Sequence, residues 1–230
     1  MMTICTLIAL GDSHGNISNF RRVVDHIIRE ENQQSILIHS GDIFSEDGHD
    51  HEAIFEMSRL SEHFISSFIT RGNHDELSMF EEEFEHIPLI SQICDNVKII
   101  VIDSNRHYVR QLEFIKNEIE NDKDSKFVVL LHHHLIPCSS ETTYETFWNR
   151  GLSSVLRETD LVIHGHSHVF AQYKLSSGTQ VLCASLANNK RYICLRENQC
   201  NCRYSSDLEY LRINLVENQW QYERIIVPES

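Results

Sequence analysis

The chain predicts an α/β protein built around a substantially parallel sheet, and three observations carry that expectation. Short runs rich in Ile, Val and Leu recur through the first part of the chain, each of a length that suits a buried strand. Amphipathic helical patterns lie between them, and such strand-helix-strand alternation argues for layered α/β architecture. After about residue 169 the pattern changes to hairpins, so a β-rich, largely antiparallel portion completes a second sheet.

In chain order, the strand candidates are Thr3 to Leu10, Ile36 to His39, His63 to Thr70, Val97 to Ile102, Phe127 to Leu131 and Leu161 to Ile163. Between the first two, Ile17, Phe20, Val23, Val24, Ile27 and Ile28 fall on one stripe of a helix that starts near Asn16 or Ser18. Leu112, Ile115 and Ile119 mark a second helix. The later hairpins run from Val169 to Leu175, through a Ser176-Ser177-Gly178-Thr179 turn, to Gln180 to Ser185, then Arg191 to Leu195, Tyr210 to Val216 and Trp220 to Val227. No Pro/Gly-rich linker, compositional break or internal repeat divides the chain, so residues 1–230 are read as one domain, with the motifs at 11–168 and the β-rich part at 169–230.

The chain is 230 residues long and 41% apolar, enough to bury a core without a disulfide or metal staple. Lys and Arg number 20 against 34 Asp and Glu, a net charge of −14, and no basic cluster offsets it. Such a chain repels a phosphate backbone, so neither a stable nucleic-acid complex nor an anionic membrane is expected as a partner. The opening segment reaches Asp12 after a few apolar residues, and no later stretch is long and apolar enough to span a bilayer, so a cytoplasmic location is expected. Seven cysteines, several inside apolar runs, suit reduced buried thiols better than a disulfide framework. Cys194, Cys200 and Cys202 form the one cluster, with a spacing that fits ordinary thiols rather than a zinc pair.

In open α/β sheets ligands gather beyond the carboxyl ends of the strands, so the residues just after each strand are the informative ones. The first strand leads into Gly11-Asp12-Ser13-His14-Gly15-Asn16, the second into Ser40-Gly41-Asp42 and the third into Arg71-Gly72-Asn73-His74-Asp75. Later strands end in His132-His133-His134 and in His164-Gly165-His166-Ser167-His168. Each group alone is weak, since a strand-end His is more often solvated or hydrogen-bonded than ligating. Five at successive strand ends, all offering oxygen or imidazole donors and no thiolate, suit two divalent ions of the manganese, iron or zinc type sharing one carboxylate. Along an extended segment 166–168, alternation makes His166 and His168 point the same way, so each can reach one of two adjacent ions. Two such ions, less two carboxylates and a hydroxide, leave a local charge of about +1 on an acidic protein, so anion recognition is short-ranged.

These motifs, Asp-x-His, Gly-Asp, Gly-Asn-His-Asp, His and Gly-His-x-His in order, resemble the calcineurin-like metallophosphoesterase superfamily over about residues 4 to 186. The resemblance implies a four-layer αββα sandwich with a dinuclear metal centre. By motif, Asp12, His14, Asp42 and His168 would hold the first ion. Asp42 as bridge, Asn73, one histidine of 132–134 and His166 would hold the second. Aligning Leu135 with the family's proline selects His133, with His132, at the strand end, as the alternative. His74 would be the general acid, held by Asp75 or another carboxylate. His39 and His164 read as buried strand residues or donors behind the ligands, and Arg71 either grips a phosphate oxygen or faces solvent.

The substrate is less narrowly indicated. Asp42 is followed by Ile43-Phe44-Ser45-Glu46, without the Asp-Arg-Gly of the protein serine/threonine phosphatases, which demotes that alternative. Ile102-Asp103-Ser104, Gln111-Leu112-Glu113-Phe114-Ile115 and the His-His run resemble the bacterial cyclic-nucleotide phosphodiesterase-like branch, as do Pro137, Cys138 and the segment Tyr144 to Arg157. A phosphodiesterase acting on a small phosphate ester is therefore favoured, and a metallonuclease lacks its basic groove. A non-catalytic scaffold of the same fold would have lost ligands, and none is missing. Tyr144, Phe147 and Trp148 could stack on a base, but their spacing reads rather as the core side of a helix.

Overall fold

The computed structural model describes residues 5–13, 17–44, 51–84, 86–135, 143–168, 170–186, 201–203 and 207–229, with the side chains of 143–146 and 201–203 left aside. The elements in order are β1 (Cys5–Leu10), α1 (Ile17–Glu30), β2 (Ile36–His39), α2 (His51–His63), β3 (Ser66–Ile69), α3 (Leu77–Glu83), β4 (Leu89–Cys94) and β5 (Val97–Val101). They continue as α4 (Tyr108–Asn121), β6 (Lys126–Leu130), α5 (Thr143–Val155), β7 (Leu161–His164), β8 (Phe170–Lys174), β9 (Gln180–Cys183), β10 (Asn201–Arg203), β11 (Glu209–Val216) and β12 (Gln219–Ile226).

Two sheets form, in the orders β12-β11-β1-β2-β3 and β10-β8-β9-β7-β6-β5-β4. The central strands are parallel, β1 with β2 and β2 with β3 in one sheet, β5, β6, β7 and β9 in the other, while β11, β12, β4 and β8 pair antiparallel. Strand alternation divides the apolar residues among three cores. Leu7 and Ala9 of β1 meet Ile99 and Val101 of β5 and Val128 and Leu130 of β6 between the sheets. Ile8, Leu10 and Leu37 face outward onto Phe20, Val23, Val24 and Ile27 of α1 and Met57 and Leu60 of α2. Ile100, Phe127 and Val129 face Ile115 and Ile119 of α4 and Trp148 and Leu152 of α5. Three cores separate four layers, the αββα sandwich that the motifs imply. Each fully buried Val, Leu or Ile contributes about 1.5–3 kcal/mol, which is why the alternation, rather than any single contact, sets the layering.

Several expectations need correction. His63 closes α2 rather than opening a strand, because Ala53, Met57 and Leu60 form a helical stripe that carries the helix to that point. α3 and β4 were not anticipated. The reading of all the cysteines as reduced is wrong at one pair: Cys5 and Cys94 form a disulfide across the inter-sheet core, Cα to Cα 5.9 Å. Only the fold brings these residues, 89 apart in sequence, together. Cys183 keeps a buried thiol, its Sγ 3.6 Å from Gly165 O. Cys138, Cys194, Cys200 and the side chain of Cys202 lie outside the described residues, as does the hairpin segment Arg191 to Leu195. Trp148 is buried in the core as read, Phe147 is 54% exposed, and the Tyr144 side chain and Pro137 are outside the described set. Among the described residues no helix is long and apolar enough to cross a membrane.

Candidate metal centre

The carboxyl ends of β1, β2 and β3 in one sheet and of β5, β6 and β7 in the other open on the same edge, and the loops that leave them converge. Two groups of potential ligands result. Asp42, His132 and His166 offer donor atoms within 4.8 Å of one another, and so do Asp12, Asp42 and His168. Asp42 belongs to both. Asn73 joins the first group, its Oδ1 lying 2.8 Å from both His132 Nε2 and His166 Nδ1. His14 lies outside the described residues.

The backbone reaches this arrangement at a conformational cost. Asp12, Asp42, His166 and His168 have φ of 52°, 57°, 68° and 52°, the left-handed region that side chains other than glycine rarely adopt. The segment 166–168 is therefore a turn and not extended, and the alternation argument for its two histidines fails. They nevertheless divide between the two groups, because each left-handed step re-aims its own side chain. Close approach requires glycine beside them: a Cβ on Gly72 would lie 2.0 Å from Asp42 Oδ1, and one on Gly165 2.6 Å from Ser40 Oγ.

Hydrogen bonds hold the strained residues in place. Asp12 N donates to Gly41 O at 2.9 Å, and His166 N donates to Asp12 Oδ1 at 2.9 Å. Ser185 Oγ donates to Asp12 Oδ2, and His74 N donates to Asp42 Oδ1 at 2.9 Å. Asp75 is the centre of this scaffold. Its Oδ2 accepts from Asp42 N and Gly72 N at 2.9 and 2.8 Å, and its Oδ1 from Ile43 N and Phe44 N at 2.8 and 2.9 Å. Four amides fill the acceptor capacity of a carboxylate, so Asp75 shapes two loops, and of the two options for holding the His74 ring this leaves another carboxylate.

The three consecutive histidines take different places. His132 Nδ1 lies 2.8 Å from the Ser40 carbonyl, and its Nε2 points into the ligand group, 3.3 Å from Asp42 Oδ2 and 3.1 Å from His166 Nδ1. His133, the residue that the motif alignment selects, turns its Nδ1 to Ser104 Oγ at 2.9 Å. It is His132, the alternative at the strand end, whose donor atom lies with those of Asp42 and His166. His134 stacks on His166, ring centroids 5.0 Å apart. Arg71 does not face solvent: its Nε donates to Asp103 Oδ2 at 3.0 Å and its Nη1 to Asp75 O at 3.0 Å. His39 is buried and accepts from Gly41 N at 3.2 Å, while His164 is buried between Gly165 O and the Tyr173 hydroxyl, at 2.8 and 2.9 Å.

Charge crowding is evident in the proton affinities. Burial and the neighbouring Asp42 push the Asp12 carboxyl up to about 7, against the pull of His132. Burial opposes a charge on His132, but Asp42 and Asp12 outweigh it and raise the ring to about 9. Burial and its imidazole neighbours hold His133 down to about 3 and push His166 down as well. Burial and Asp42 raise Asp75. Two carboxylates and several imidazoles packed this closely suit cations, which would neutralise the former and use the lone pairs of the latter.

Sequence reasoning missed the supports behind these groups. Ser104 follows a strand and was legible as a strand-end residue, but Ser40 O and Ser185 carry no sequence signal. Gln111 was legible only as part of a helix, yet its Oε1 accepts from Asp103 N and its Nε2 donates to Asp103 O, both at 2.7 Å, fixing the loop that carries Ser104.

The family described as calcineurin-like phosphoesterase matches residues 5–170. A probable cyclic nucleotide phosphodiesterase of Rhodococcus erythropolis is 25% identical over 187 residues, covering 70% of this chain and 62% of the relative. The chain thus spans less than two thirds of that protein's length. Among solved structures, the purple acid phosphatase PPD1 from yellow lupin seeds superposes with a TM-score of 0.67 at 9% identity, over 97% of this chain and 52% of that one. GAP50, described as the anchor in the inner membrane complex of Plasmodium, does so with 0.68 at 14% identity, over 97% and 85%. At these identities the two structures speak to the fold alone.

Proposed function

The chain belongs to the calcineurin-like phosphoesterase family, and from that premise we propose that it is a dinuclear metal-dependent phosphoesterase, with small phosphodiesters as its favoured substrates. The observation that carries the reading is the pair of ligand groups sharing Asp42. Asp12, His14, Asp42 and His168 would hold one divalent ion, and Asp42, Asn73, His132 and His166 the other. The donor set of carboxylate, amide oxygen and imidazole fits manganese, iron or zinc. When bound, two such ions polarise phosphoryl oxygens and make water nucleophilic at neutral pH.

The protein's own groups do the rest. Asp42 and Asp12 supply negative charge, His132 and His166 supply lone pairs, and Asp75 keeps the 42–44 and 72 backbones in register. In hydrolysis a P–O bond to water's oxygen forms, the ester P–O bond breaks, and the departing oxygen takes a proton. His74 is proposed as its source: it is half-buried beside Asp42, and an imidazole can release a proton near neutral pH. The preference for diesters is supported by the Rhodococcus relative and by the phosphodiesterase-like residues around Ser104. A cytoplasmic setting is proposed from the sequence, and the Cys5–Cys94 disulfide, of a kind commoner in oxidising compartments, is the observation that weighs against it.

The test is elemental analysis of protein purified without chelator, followed by a screen of diesters, cyclic nucleotides and monoesters with manganese added. The expected result is close to two ions per chain and turnover that chelation abolishes. Fewer than one ion in excess metal overturns the dinuclear reading. His74→Asn should keep both ions yet lose roughly 10²- to 10⁴-fold on alkyl esters and much less on aryl esters, whose leaving groups depart unprotonated. Equal losses on both overturn the acid role.

A further inference from the structure

The two adjacent histidines 132 and 133 have opposite hydrogen-bonding surroundings. His132 Nδ1 faces the Ser40 carbonyl at 2.8 Å, and a carbonyl can only accept, so the proton of the neutral ring is on Nδ1 and the Nε2 lone pair is directed into the ligand group. Ser104 reverses this for His133. Its Oγ lies 3.2 Å from His132 N and 3.0 Å from His133 N, and both amides must donate to it. A hydroxyl has two lone pairs and one proton. With both lone pairs engaged, the remaining contact, 2.9 Å to His133 Nδ1, uses the hydroxyl proton. His133 Nδ1 is therefore the acceptor, and the proton of its neutral ring is on Nε2.

That N–H is well placed. The His133 ring packs against His166 and His132, with centroids 4.8 and 5.2 Å away, so it flanks two of the proposed metal ligands without joining them. Among the described residues its Nε2 makes no hydrogen bond, and the side chain is only partly buried. We propose that His133 is a substrate-contacting hydrogen-bond donor, presenting Nε2–H to a non-bridging phosphoryl oxygen, and that Ser104 is the positioning residue that fixes its tautomer. The substrate contact rests on the phosphoesterase reading, whereas the tautomer does not. One strand end thus supplies both a lone pair for a cation and an N–H for an anion. Placing a fixed donor where phosphoryl charge develops is worth about 10²-fold or more in rate.

The decisive measurement is imidazole ¹⁵N NMR of the metal-free and zinc-loaded protein. The expected spectrum gives His133 a protonated Nε2 and a bare Nδ1 in both states. A protonated Nδ1 on His133, or an equal mixture, overturns the proposal whatever the enzyme does. In kinetics, His133→Ala should keep two zinc ions and lose about 10²-fold in kcat, with His133→Gln, which restores an N–H near the same place, recovering part of it. Ser104→Ala should lose about tenfold, Ser104→Thr should recover, and Ser104→Ala should add nothing on top of His133→Ala. Loss of an ion in His133→Ala, or additive losses in the double variant, overturns the assignment. Calorimetric binding of inorganic phosphate to the zinc-loaded protein should weaken about tenfold in His133→Ala, and unchanged phosphate affinity would remove the substrate contact. If the wild type turns over no ester, the functional reading fails, while the NMR and phosphate results still decide this one.

Discussion

The two ends of the sandwich contain the same unusual backbone conformation for different reasons. At the end where β1 and β5 begin, left-handed residues sit in two-residue hairpin turns: Asn96 between β4 and β5, and Glu217 and Asn218 between β11 and β12. Such turns require positive φ because their twist must match that of the strands they join. At the other end Asp12, Asp42, His166 and His168 adopt the same conformation in the loops and the short turn that carry the candidate ligands, and none of them joins two strands of a hairpin. Their positive φ serves the side chains, and a network of hydrogen bonds centred on Asp75 and Asp12 offsets the cost. Strain that a turn explains carries no functional message, and strain that only a converging set of ligands explains does.

Substitutions can break that contrast. The largest effect is expected at Asp42, where Asp42→Asn removes a charge common to both ligand groups: turnover should fall by about 10³-fold or more, metal content should drop below two, and the far-ultraviolet spectrum should be unchanged. Near-native rates at saturating metal would mean that the two groups do not act together. At the opposite end, Cys94→Ser should lower stability by roughly 2–5 kcal/mol in denaturant titrations, with the folded fraction retaining its metal and its rate. A parallel loss of metal would show that the ends are coupled. Asp75→Asn keeps the size of the side chain but offers one carbonyl oxygen and an amide where four N–H groups converge. A loss of roughly 2–4 kcal/mol, together with weaker metal binding, is expected from titrations of both properties. The smallest effect belongs to the far turn, where the pair Glu217→Asn and Asn218→Gly should raise stability by about 1 kcal/mol and leave activity alone.

The contrast also explains how much was legible in the sequence. Strands such as Ile36–His39, and the stripe of Phe20, Val23, Val24 and Ile27, were legible because burial imposes a period on neighbouring residues. The motif residues were legible because each follows a strand and the strand ends share an edge. Illegible were relations set by the third dimension: the pairing of Cys5 with Cys94, the amides that converge on Asp75, and the choice of His132 over His133. Period and motif both allowed the neighbouring residue, and the Ser40 carbonyl and Ser104 hydroxyl that set the two rings apart come from the loops that leave β2 and β5.

The four amides on Asp75 also bear on how this molecule can be re-engineered or can diverge. Residues 42–44 and 72–75 are separate stretches of sequence but one mechanical part, since a single carboxylate closes both loops. A graft that imports only the first stretch from a relative must also suit a carboxylate it did not evolve with, and a graft of only the second must find the same amides waiting. Exchange of both together preserves the fit. Modularity here follows hydrogen bonds rather than contiguity, and the smallest transplantable unit of this edge is a pair of loops.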